Sequence, residues 1–190
     1  MQGPFYIISD NHFMMNDNGE EQSRRDKLFA IFNKIKKKQE GTLIIGGDFF
    51  DFWFETDYAI PNGYQNIIQA LLELKESGID IHYIAGNHDY WDFGYLSKTT
   101  DLIFHKQDLE FDYNNKKILI THGDGLLKND YGYRFMKKII RSKLFIRLFK
   151  LFPPRISFKL ANKLSRSSSH YNHNDKFINT IMTDIFNYAK

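Results

Sequence analysis

Four short polar motifs, each rich in residue types that bind metal ions, occur in order along this chain. They are Asp10-Asn11-His12, Gly47-Asp48-Phe49-Phe50-Asp51, Gly86-Asn87-His88-Asp89 and His122-Gly123-Asp124. Carboxylate, amide and imidazole groups supply the oxygen and nitrogen ligands that suit Mn, Fe or Zn. One such motif would carry little information, whereas four in this order predict a site for two metal ions.

Each motif follows directly on a short apolar run that is typical of a β-strand. These runs are Tyr6-Ile7-Ile8, Leu43-Ile44-Ile45, His82-Tyr83-Ile84 and Ile118-Leu119-Ile120. Strand ends that share one edge of a sheet bring together residues that are far apart in sequence. The pattern therefore places the predicted metal site at the carboxyl ends of the strands. Taken singly the residues mean less, since a lone His12 is commonly a surface side chain and Asp48 a turn residue.

The spacing of apolar residues predicts three strands that alternate with two helices in the first half of the chain. The strands are expected at residues 5–9, 42–45 and 81–85. The helices are expected at 23–39, opening at Ser23, and at 64–77. The predicted buried stripe of the first helix consists of Leu28, Ile31, Phe32 and Ile35. Such alternation is typical of an α/β fold in which helices cover a parallel sheet.

The second half of the chain has a different pattern, with short strands first and helices after them. Further strands are expected at 101–105, 109–113 and 117–121. The last two are joined by Asn114-Asn115, a plausible tight hairpin turn. Helices are expected at 131–152, where Pro153-Pro154 ends the first, then up to about 164, and from about 175 onward.

The composition indicates a globular chain and excludes several kinds of protein. The 190 residues suffice for one domain, and 42% of them are hydrophobic and 16% aromatic. Without cysteine there is neither a disulfide framework nor a thiolate metal site, which is compatible with a reducing cytoplasm. No apolar stretch approaches the roughly 20 residues of a membrane-spanning helix, and no secretory signal is apparent. We therefore expect one cytoplasmic domain over residues 1–190.

The charge is distributed unevenly, although the net charge is only +3. Residues 131–174 contain 11 Lys or Arg and no Asp or Glu, whereas the rest of the chain has 15 basic and 23 acidic residues. Apolar side chains are interleaved with the cations between residues 135 and 152. Such a segment suits a molecule with fatty chains and a diphosphate, or an anionic lipid surface. The alternative is that the apolar stripe packs on the domain core and the basic face is solvated.

The four motifs resemble the calcineurin-like metallophosphoesterase superfamily, whose pattern is D-x-H, G-D-x-x-D, G-N-H-D/E, a later His and a final G-H-x-H. The resemblance spans residues 6–124. It implies a β-sandwich flanked by helices, with two divalent metal ions, expected to be Mn²⁺, at the strand carboxyl ends. The implied ligands are Asp10 and His12 for the first ion, Asn87 and His122 for the second, and Asp48 as the bridge between them.

The resemblance also implies roles for the polar residues beside the ligands. His88, with its neighbour Asn87, is identified as catalytic, contacting the phosphate or protonating the leaving oxygen. Asp51, Asp89 and Asp124 are expected to accept hydrogen bonds that orient ligating imidazoles or turn amides. Because two metal ions at such a site activate water for in-line attack on phosphorus, the implied activity is phosphoester hydrolysis.

The fifth motif of the family, G-H-x-H, does not occur in these 190 residues. Its two imidazoles normally complete the two metal positions, so each ion would have only three of the implied ligands. We expect that the sequence is C-terminally incomplete. One alternative is that His170 and His173 substitute as ligands, and another is a degenerate, weakly metallated protein.

Within the superfamily, the chain is most similar to the UDP-2,3-diacylglucosamine hydrolase family of lipid A synthesis, especially its Bacteroidetes-like form. This similarity rests on three features. They are the aromatic residues after Asp48, those after Asp89, and the helical segment after the fourth motif. The similarity implies a helical lid over the acyl chains at about residues 126–169. The implied substrate contacts are Phe145, Phe149, Ser165 and Arg166.

The expected function is hydrolysis of the diphosphate bond of UDP-2,3-diacylglucosamine, with the basic amphipathic helix on the cytoplasmic membrane surface. A generic phosphodiesterase or nuclease of the same superfamily is the first alternative. The apolar density of residues 135–152 speaks against it, because a nuclease groove does not need so much apolar area, and we expect no nucleic-acid partner. The second alternative is a non-catalytic binding module. The oligomeric state is not predicted.

Overall fold

The structure, a computed structural model, describes residues 1–16, 18–55, 60–151 and 175–190, with side chains from residue 182 in the last range. The chain forms two compact units, Met1–His122 and Gly123–Lys190. The predicted ligands all lie in the first unit.

The first unit contains a four-stranded parallel sheet that helices connect. The strands are β1 (Phe5–Ile8), β2 (Thr42–Ile45), β3 (Asp80–Ile84) and β4 (Ile103–His105), in the spatial order β1-β2-β3-β4. The connecting helices are α1 (Gly19–Lys36), α2 (Gln65–Glu76) and α3 (Tyr95–Thr100). The predicted alternation of parallel strands and helices is confirmed, and it places the ends of β1, β2 and β3 at one edge.

The two faces of the sheet have different partners. On one face Leu43 and Ile45 pack with the buried residues of α1 and α2 in the main core. On the other face Ile44 and Ile84 pack against Leu109 of an antiparallel hairpin. The hairpin consists of β5 (Leu109–Tyr113) and β6 (Lys116–Ile120), which form a separate two-stranded sheet in the described part of the chain. The hairpin over the parallel sheet makes the expected sandwich, with helices outside it.

The turn of this hairpin has the predicted residues and the conformation that they favour. Asn114 and Asn115 both have positive φ, 50° and 60°. Two successive left-handed residues twist a two-residue turn in the sense that antiparallel strands require, and Asn tolerates that conformation better than most residues.

Helix α1 begins earlier than predicted. Asn18, not Ser23, caps it, since the Asn18 side chain accepts a hydrogen bond from the backbone N–H of Glu21. Glu20 and Glu21 then place negative charge in the first turn, where it stabilises the helix. The prediction that Ile31 is buried was wrong, because its side chain is 45% exposed while Leu28, Phe32 and Ile35 are buried.

The chain between β3 and β4 contains a short helix that the sequence did not predict. Helix α3 ends at Asp101, whose φ of 53° is left-handed. The strand expected from residue 101 therefore begins only at Ile103. Six residues are too few to show a clear helical periodicity in the sequence. The short helix is stabilised instead by the packing of Leu96 in the main core.

Two histidines from neighbouring strands lie side by side in the first unit. The rings of His82 and His105 are stacked with centroids 5.1 Å apart, and His82 Nδ1 lies 2.9 Å from His105 Nε2. Burial lowers the pKa of both imidazoles, and in His82 the neighbouring charge of His105 lowers the pKa further. His82 lies within β3 and His105 ends β4, so neither belongs to the strand-end motifs.

Acidification is expected to destabilise the first unit through this pair. In the unfolded chain an imidazole has a pKa of about 6.5. Below that pH the unfolded state therefore binds more protons than the folded state, in which the two pKa values are lower. The free energy of unfolding should therefore fall as the pH drops through about 6.5. Urea unfolding followed by the fluorescence of Trp53 and Trp91 measures this loss. The double variant His82→Gln/His105→Gln should lose less stability over the same range, and an equal loss in both proteins would contradict the assignment.

The second unit contains three described helices. They are α4 (Tyr131–Ile140), α5 (Lys143–Lys150) and α6 (Asp175–Ala189). The prediction of one continuous helix over 131–152 was wrong, because the chain breaks at Ser142. Ser142 has an extended backbone (φ −70°, ψ 141°), and its hydroxyl accepts the backbone N–H of Phe145 and so caps α5.

Helices α4 and α5 are amphipathic, and much of their apolar surface is exposed. The most exposed apolar residues of the two helices are Tyr131, Phe135, Leu144 and Leu148, and Leu151 directly after α5 is exposed as well. Phe149 is the exception, being 2% exposed. Across the residues that the structure describes, no helix combines the length and apolarity needed to cross a bilayer.

Candidate metal centre

The ends of β1, β2, β3 and β6 bring their polar motifs to one place. Asp48, two turn residues beyond β2, lies at its centre and is 4% exposed. Its Oδ2 is 3.9 Å from His12 Nε2, 3.9 Å from His88 Nε2 and 3.3 Å from His122 Nε2. The Oδ1 of Asn87 lies 3.3 Å from the same nitrogen of His122.

Backbone hydrogen bonds hold the motif loops against one another. The N–H of Asp10 donates to the carbonyl of Gly47 at 3.0 Å, and the N–H of His12 donates to that of Asp48 at 2.9 Å. The third loop is tied in by the N–H of His88, which donates to Asp48 Oδ1 at 2.9 Å. The parallel pairing thus continues past the strand ends, and it fixes the spacing of the first three motifs.

Three of the predicted ligands have a left-handed backbone. The φ values are 52° for Asp10, 45° for His12 and 49° for Asp48. Non-glycine residues in this region cost of order 1 kcal/mol or more, and such strain clusters at functional sites. The tight turns aim all three side chains to the same side of the sheet edge.

The imidazoles and the backbone donor around Asp48 keep the pKa of its carboxyl group low despite burial. Burial alone would raise the pKa of this carboxyl group, but the hydrogen bond and charge of His122 and the charge of His88 lower it below the ordinary value. A buried carboxylate that remains charged among imidazoles is what a site for divalent cations requires.

His88 and His122 are oriented in the same way. The Nδ1–H of His88 donates to the backbone carbonyl of Asp51 at 2.6 Å, and that of His122 donates to the carbonyl of Gly46 at 3.0 Å. A carbonyl can only accept, so Nδ1 carries the proton and Nε2 has the lone pair in the neutral ring. Metal-binding histidines are characteristically held by such a hydrogen bond from the other ring nitrogen.

Two groups of side chains in the described part of the chain have donor atoms close enough to hold an ion. Asp10, Asp48 and His122 form one group, and His12, Asp51 and His88 form the other. The donor atoms within each group lie within 4.8 Å of one another. Carboxylates with imidazoles match the preferences of first-row divalent metals, so the residues present fit such ions.

Asp89 accepts hydrogen bonds from the turn amides around the centre, as expected. Its carboxyl group is fully buried and accepts the N–H of Gly86 at 2.7 Å and that of Phe49 at 2.9 Å, and the hydroxyl of Tyr83 donates to it at 2.5 Å. Burial and the nearby charge of Asp48 raise the pKa of Asp89 to about 6. This residue locks the second and third loops together.

Sequence reasoning missed a support that comes from α1. Arg24 donates to the backbone carbonyls of Asn11 and His12, while its guanidinium stacks over the Phe13 ring at 5.3 Å. Glu21, which is fully buried, accepts from Arg24 and from the backbone N–H of Met14. The only signal was the charged first turn of a helix, and such turns are usually solvated.

The aromatic residues after Asp48 are buried in the protein interior. Phe49, Phe50, Phe52, Trp53 and Phe54 are all buried, and three of them belong to the main core. They pack beneath the loop rather than lining an open site. This packing holds the turn of Asp48 rigidly on the sheet.

The other predicted site residues lie in the second unit. Phe145 and Phe149 are stacked within α5 with ring centroids 5.9 Å apart. Asp124 accepts from Tyr133 and pairs with Lys137 and Arg141 of the same unit, instead of orienting an imidazole. Ser165, Arg166, His170 and His173 lie outside the described residues.

A sequence model of the calcineurin-like phosphoesterases matches residues 3–178. This range includes all four strand-end motifs and covers most of the chain.

Three relatives are proteins with the same name, UDP-2,3-diacylglucosamine hydrolase. The protein of Porphyromonas gingivalis is 28% identical over 182 residues, which cover 95% of this chain and 69% of the relative. That of Proteus mirabilis is 36% identical over 75% of this chain and 60% of the relative. That of Photorhabdus laumondii is 32% identical over 76% of this chain and 60% of the relative. The chain thus spans about 60–69% of the length of these relatives.

Proposed function

The chain belongs to the calcineurin-like phosphoesterase family, and from this membership we propose that it hydrolyses the diphosphate bond of UDP-2,3-diacylglucosamine, releasing UMP and 2,3-diacylglucosamine 1-phosphate. The observation that carries phosphoester hydrolysis is the convergence of three imidazoles on the buried carboxylate of Asp48. This substrate is supported by the similarity to the three UDP-2,3-diacylglucosamine hydrolases.

Two divalent metal ions, which we propose to be Mn²⁺, complete the centre. Asp10, His12, Asp48, Asn87 and His122 are proposed to hold them, with Asp48 shared. When bound, a pair of ions supplies Lewis-acid polarisation of a phosphoryl oxygen and a water that is acidic enough to react near neutral pH.

The residues of this chain contribute orientation and charge. The Gly46 carbonyl holds the ring of His122, and the amide of Asn87 lies beside it. The ionised Asp48 offsets the repulsion between two cations. The buried aromatic residues that follow Asp48 fix its turn on the core.

The second unit supplies surface that suits a lipid-linked nucleotide sugar. Leu144 and Leu148 of α5 are 70% and 52% exposed. Cations flank them, and residues 131–174 hold no acidic residue. We propose that this unit binds the acyl chains, with Phe145, Phe149, Ser165 and Arg166 in or next to the contact, and that its basic amphipathic face rests on the cytoplasmic membrane surface.

A substrate panel tests the proposal. The Mn²⁺-supplemented chain is assayed against UDP-2,3-diacylglucosamine, bis-p-nitrophenyl phosphate and single-stranded DNA. We expect turnover of the diacyl nucleotide sugar to exceed that of the other two. Preferred cleavage of DNA would instead indicate a nuclease, and binding of the nucleotide sugar without turnover of any substrate would indicate a binding module.

A variant of the second unit tests the acyl contact in the same assay. Leu144→Ser/Leu148→Ser should raise KM for the diacyl substrate by about tenfold or more, because a buried leucine contributes roughly 1.5–3 kcal/mol. Hydrolysis of the small diester should not change. Ile31→Ser is the matched control, since Ile31 is an exposed apolar residue of the first unit. Equal losses on both substrates would contradict an acyl contact.

A further inference from the structure

We propose that His82 and His105 chelate a transition-metal ion such as Zn²⁺, Ni²⁺ or Cu²⁺ at a site separate from the strand-end centre. Such an ion would cross-link β3 to β4, a strand of only three residues. The inference goes beyond the proposed hydrolase activity and does not depend on it.

The register of the parallel sheet brings the two imidazoles to the same face. His82 pairs with Ile44 of β2, and His105 pairs with Ile84 of β3. Ile44 and Ile84 both pack against Leu109 of the β5–β6 hairpin. Because paired residues of neighbouring strands point to the same side of a sheet, both histidines lie on the hairpin side.

The distance between the two facing ring nitrogens is that of two ligands of one ion. His82 Nδ1 lies 2.9 Å from His105 Nε2, and the ring planes are inclined by only 9°. Two nitrogens that are each about 2.0–2.1 Å from an ion, at an angle between a right angle and the tetrahedral value, lie roughly 2.8–3.4 Å apart. A small rotation of the rings would let both lone pairs converge on an ion, and neither strand would have to move.

The hydrogen of the inter-ring contact can be relocated without a net release of protons. In the metal-free pair one facing nitrogen donates its hydrogen and the other accepts it. On metal binding this hydrogen leaves the facing nitrogen, and the outer nitrogen of the same ring takes one up from solvent. Both facing nitrogens then present lone pairs. Burial lowers the pKa of both imidazoles, which favours the neutral form that binds metal.

The charged groups around His82 do not exclude a cation. Asp80, Lys75 and the N-terminal amine all act on this ring. The Nζ of Lys75 lies 2.8 Å from Asp80 Oδ1 and 3.9 Å from Asp101 Oδ2. Two carboxylates therefore offset the ammonium charge that would otherwise repel a metal ion.

The donor set distinguishes this site from the strand-end centre. Two imidazoles favour the ions late in the Irving–Williams order, in which Mn²⁺ is the weakest binder. The strand-end centre instead includes the carboxylates of Asp10 and Asp48. We therefore expect Mn²⁺ to occupy the strand-end centre alone, and Zn²⁺ to bind at both places.

Equilibrium dialysis against Zn²⁺ and against Mn²⁺ tests the proposal. The double variant His82→Gln/His105→Gln should bind one equivalent of Zn²⁺ less than the wild-type chain and the same number of equivalents of Mn²⁺. His170→Gln/His173→Gln is the matched control, because it removes another closely spaced pair of imidazoles. The control should keep the Zn²⁺ equivalent that the first variant loses.

Nitrogen NMR of the wild-type chain gives a readout that needs no variant to fold. On addition of Zn²⁺, the resonances of His82 Nδ1 and His105 Nε2 should move to the positions of metal-bound nitrogens, and the outer nitrogen of each ring should carry the hydrogen. Unchanged fluorescence of Trp53 and Trp91 would show that the double variant remains folded.

Two results would overturn the inference. One is a folded double variant that binds as many equivalents of Zn²⁺ as the wild-type chain. The other is a wild-type chain in which both facing nitrogens keep their metal-free resonances at saturating Zn²⁺. Neither readout uses turnover, so the outcome stands apart from that of the hydrolase proposal.

Discussion

Replacing Asp48 with alanine is expected to abolish binding of both metal ions and to lower phosphodiester hydrolysis by roughly 10²–10⁴-fold, since even indirect support of a metal ligand is worth 10–100-fold per position. The carboxylate of Asp48 lies within 3.9 Å of three imidazole nitrogens. It belongs to the group with Asp10 and His122 and also lies 3.9 Å from His12 and His88 of the other group. Alanine would remove the carboxylate that these three imidazoles approach.

Metal analysis after dialysis, together with turnover of the chromogenic diester, measures this effect. Asp92→Asn is the matched control, because Asp92 is a buried carboxylate of the same unit, is 2% exposed, and accepts from Trp53 Nε1 at 3.1 Å. That variant should keep two equivalents. Retention of two equivalents by Asp48→Ala would refute a shared ligand at this position.

Gly86→Ala is expected to disrupt the centre without removing any ligand. A Cβ on Gly86 would occupy the space of the Asp48 carboxylate and would approach the Asp48 backbone nitrogen to 2.5 Å. Because Asp48 is itself only 4% exposed, it has little room to move away. Overpacking of this kind costs about 1–3 kcal/mol, and a displaced Asp48 would weaken both metal positions together.

Urea unfolding and Mn²⁺ titration of the same preparation measure the two effects. Gly19→Ala provides the control, since a Cβ there meets nothing within 4 Å. We expect Gly19→Ala to match the wild-type chain in metal affinity. If Gly86→Ala binds both ions as tightly as the wild-type chain, the loop after β3 does not constrain Asp48 in the way described.

The elements that were predicted well are those whose signal is local. The strand at Thr42–Ile45 was predicted with its observed ends, because a continuous apolar run is bounded by glycines on both sides. The Asn114-Asn115 turn was predicted because its residues tolerate positive φ. Both features depend on the chemistry of adjacent residues alone.

The misplaced elements depend on contacts that periodicity does not report. Residues 131–152 have one helical pattern, yet the capping hydroxyl of Ser142 breaks it into two helices. Ile31 fits the stripe of α1 but is exposed, because the width of the buried face is set by how the helix lies on the sheet. Helix α1 starts at Gly19 because a cap at Asn18 outweighs the one expected at Ser23.

The order of residue types along the chain was sufficient to predict where the candidate site lies and what kind of ion it suits. The first three motifs follow strands of the parallel sheet, and parallel strands end at one edge, so the meeting of Asp10, Asp48 and Asn87 could be predicted from sequence. His122 follows β6 of the antiparallel hairpin, so its position at the same place depends on how the hairpin packs on the sheet. Which donors share an ion was not accessible in this way. Left-handed turns at Asp10, His12 and Asp48, and the carbonyls that hold His88 and His122, set the direction of each side chain. Those directions depend on backbone torsions and on hydrogen bonds between segments distant in sequence, so they emerge only when the loops pack together.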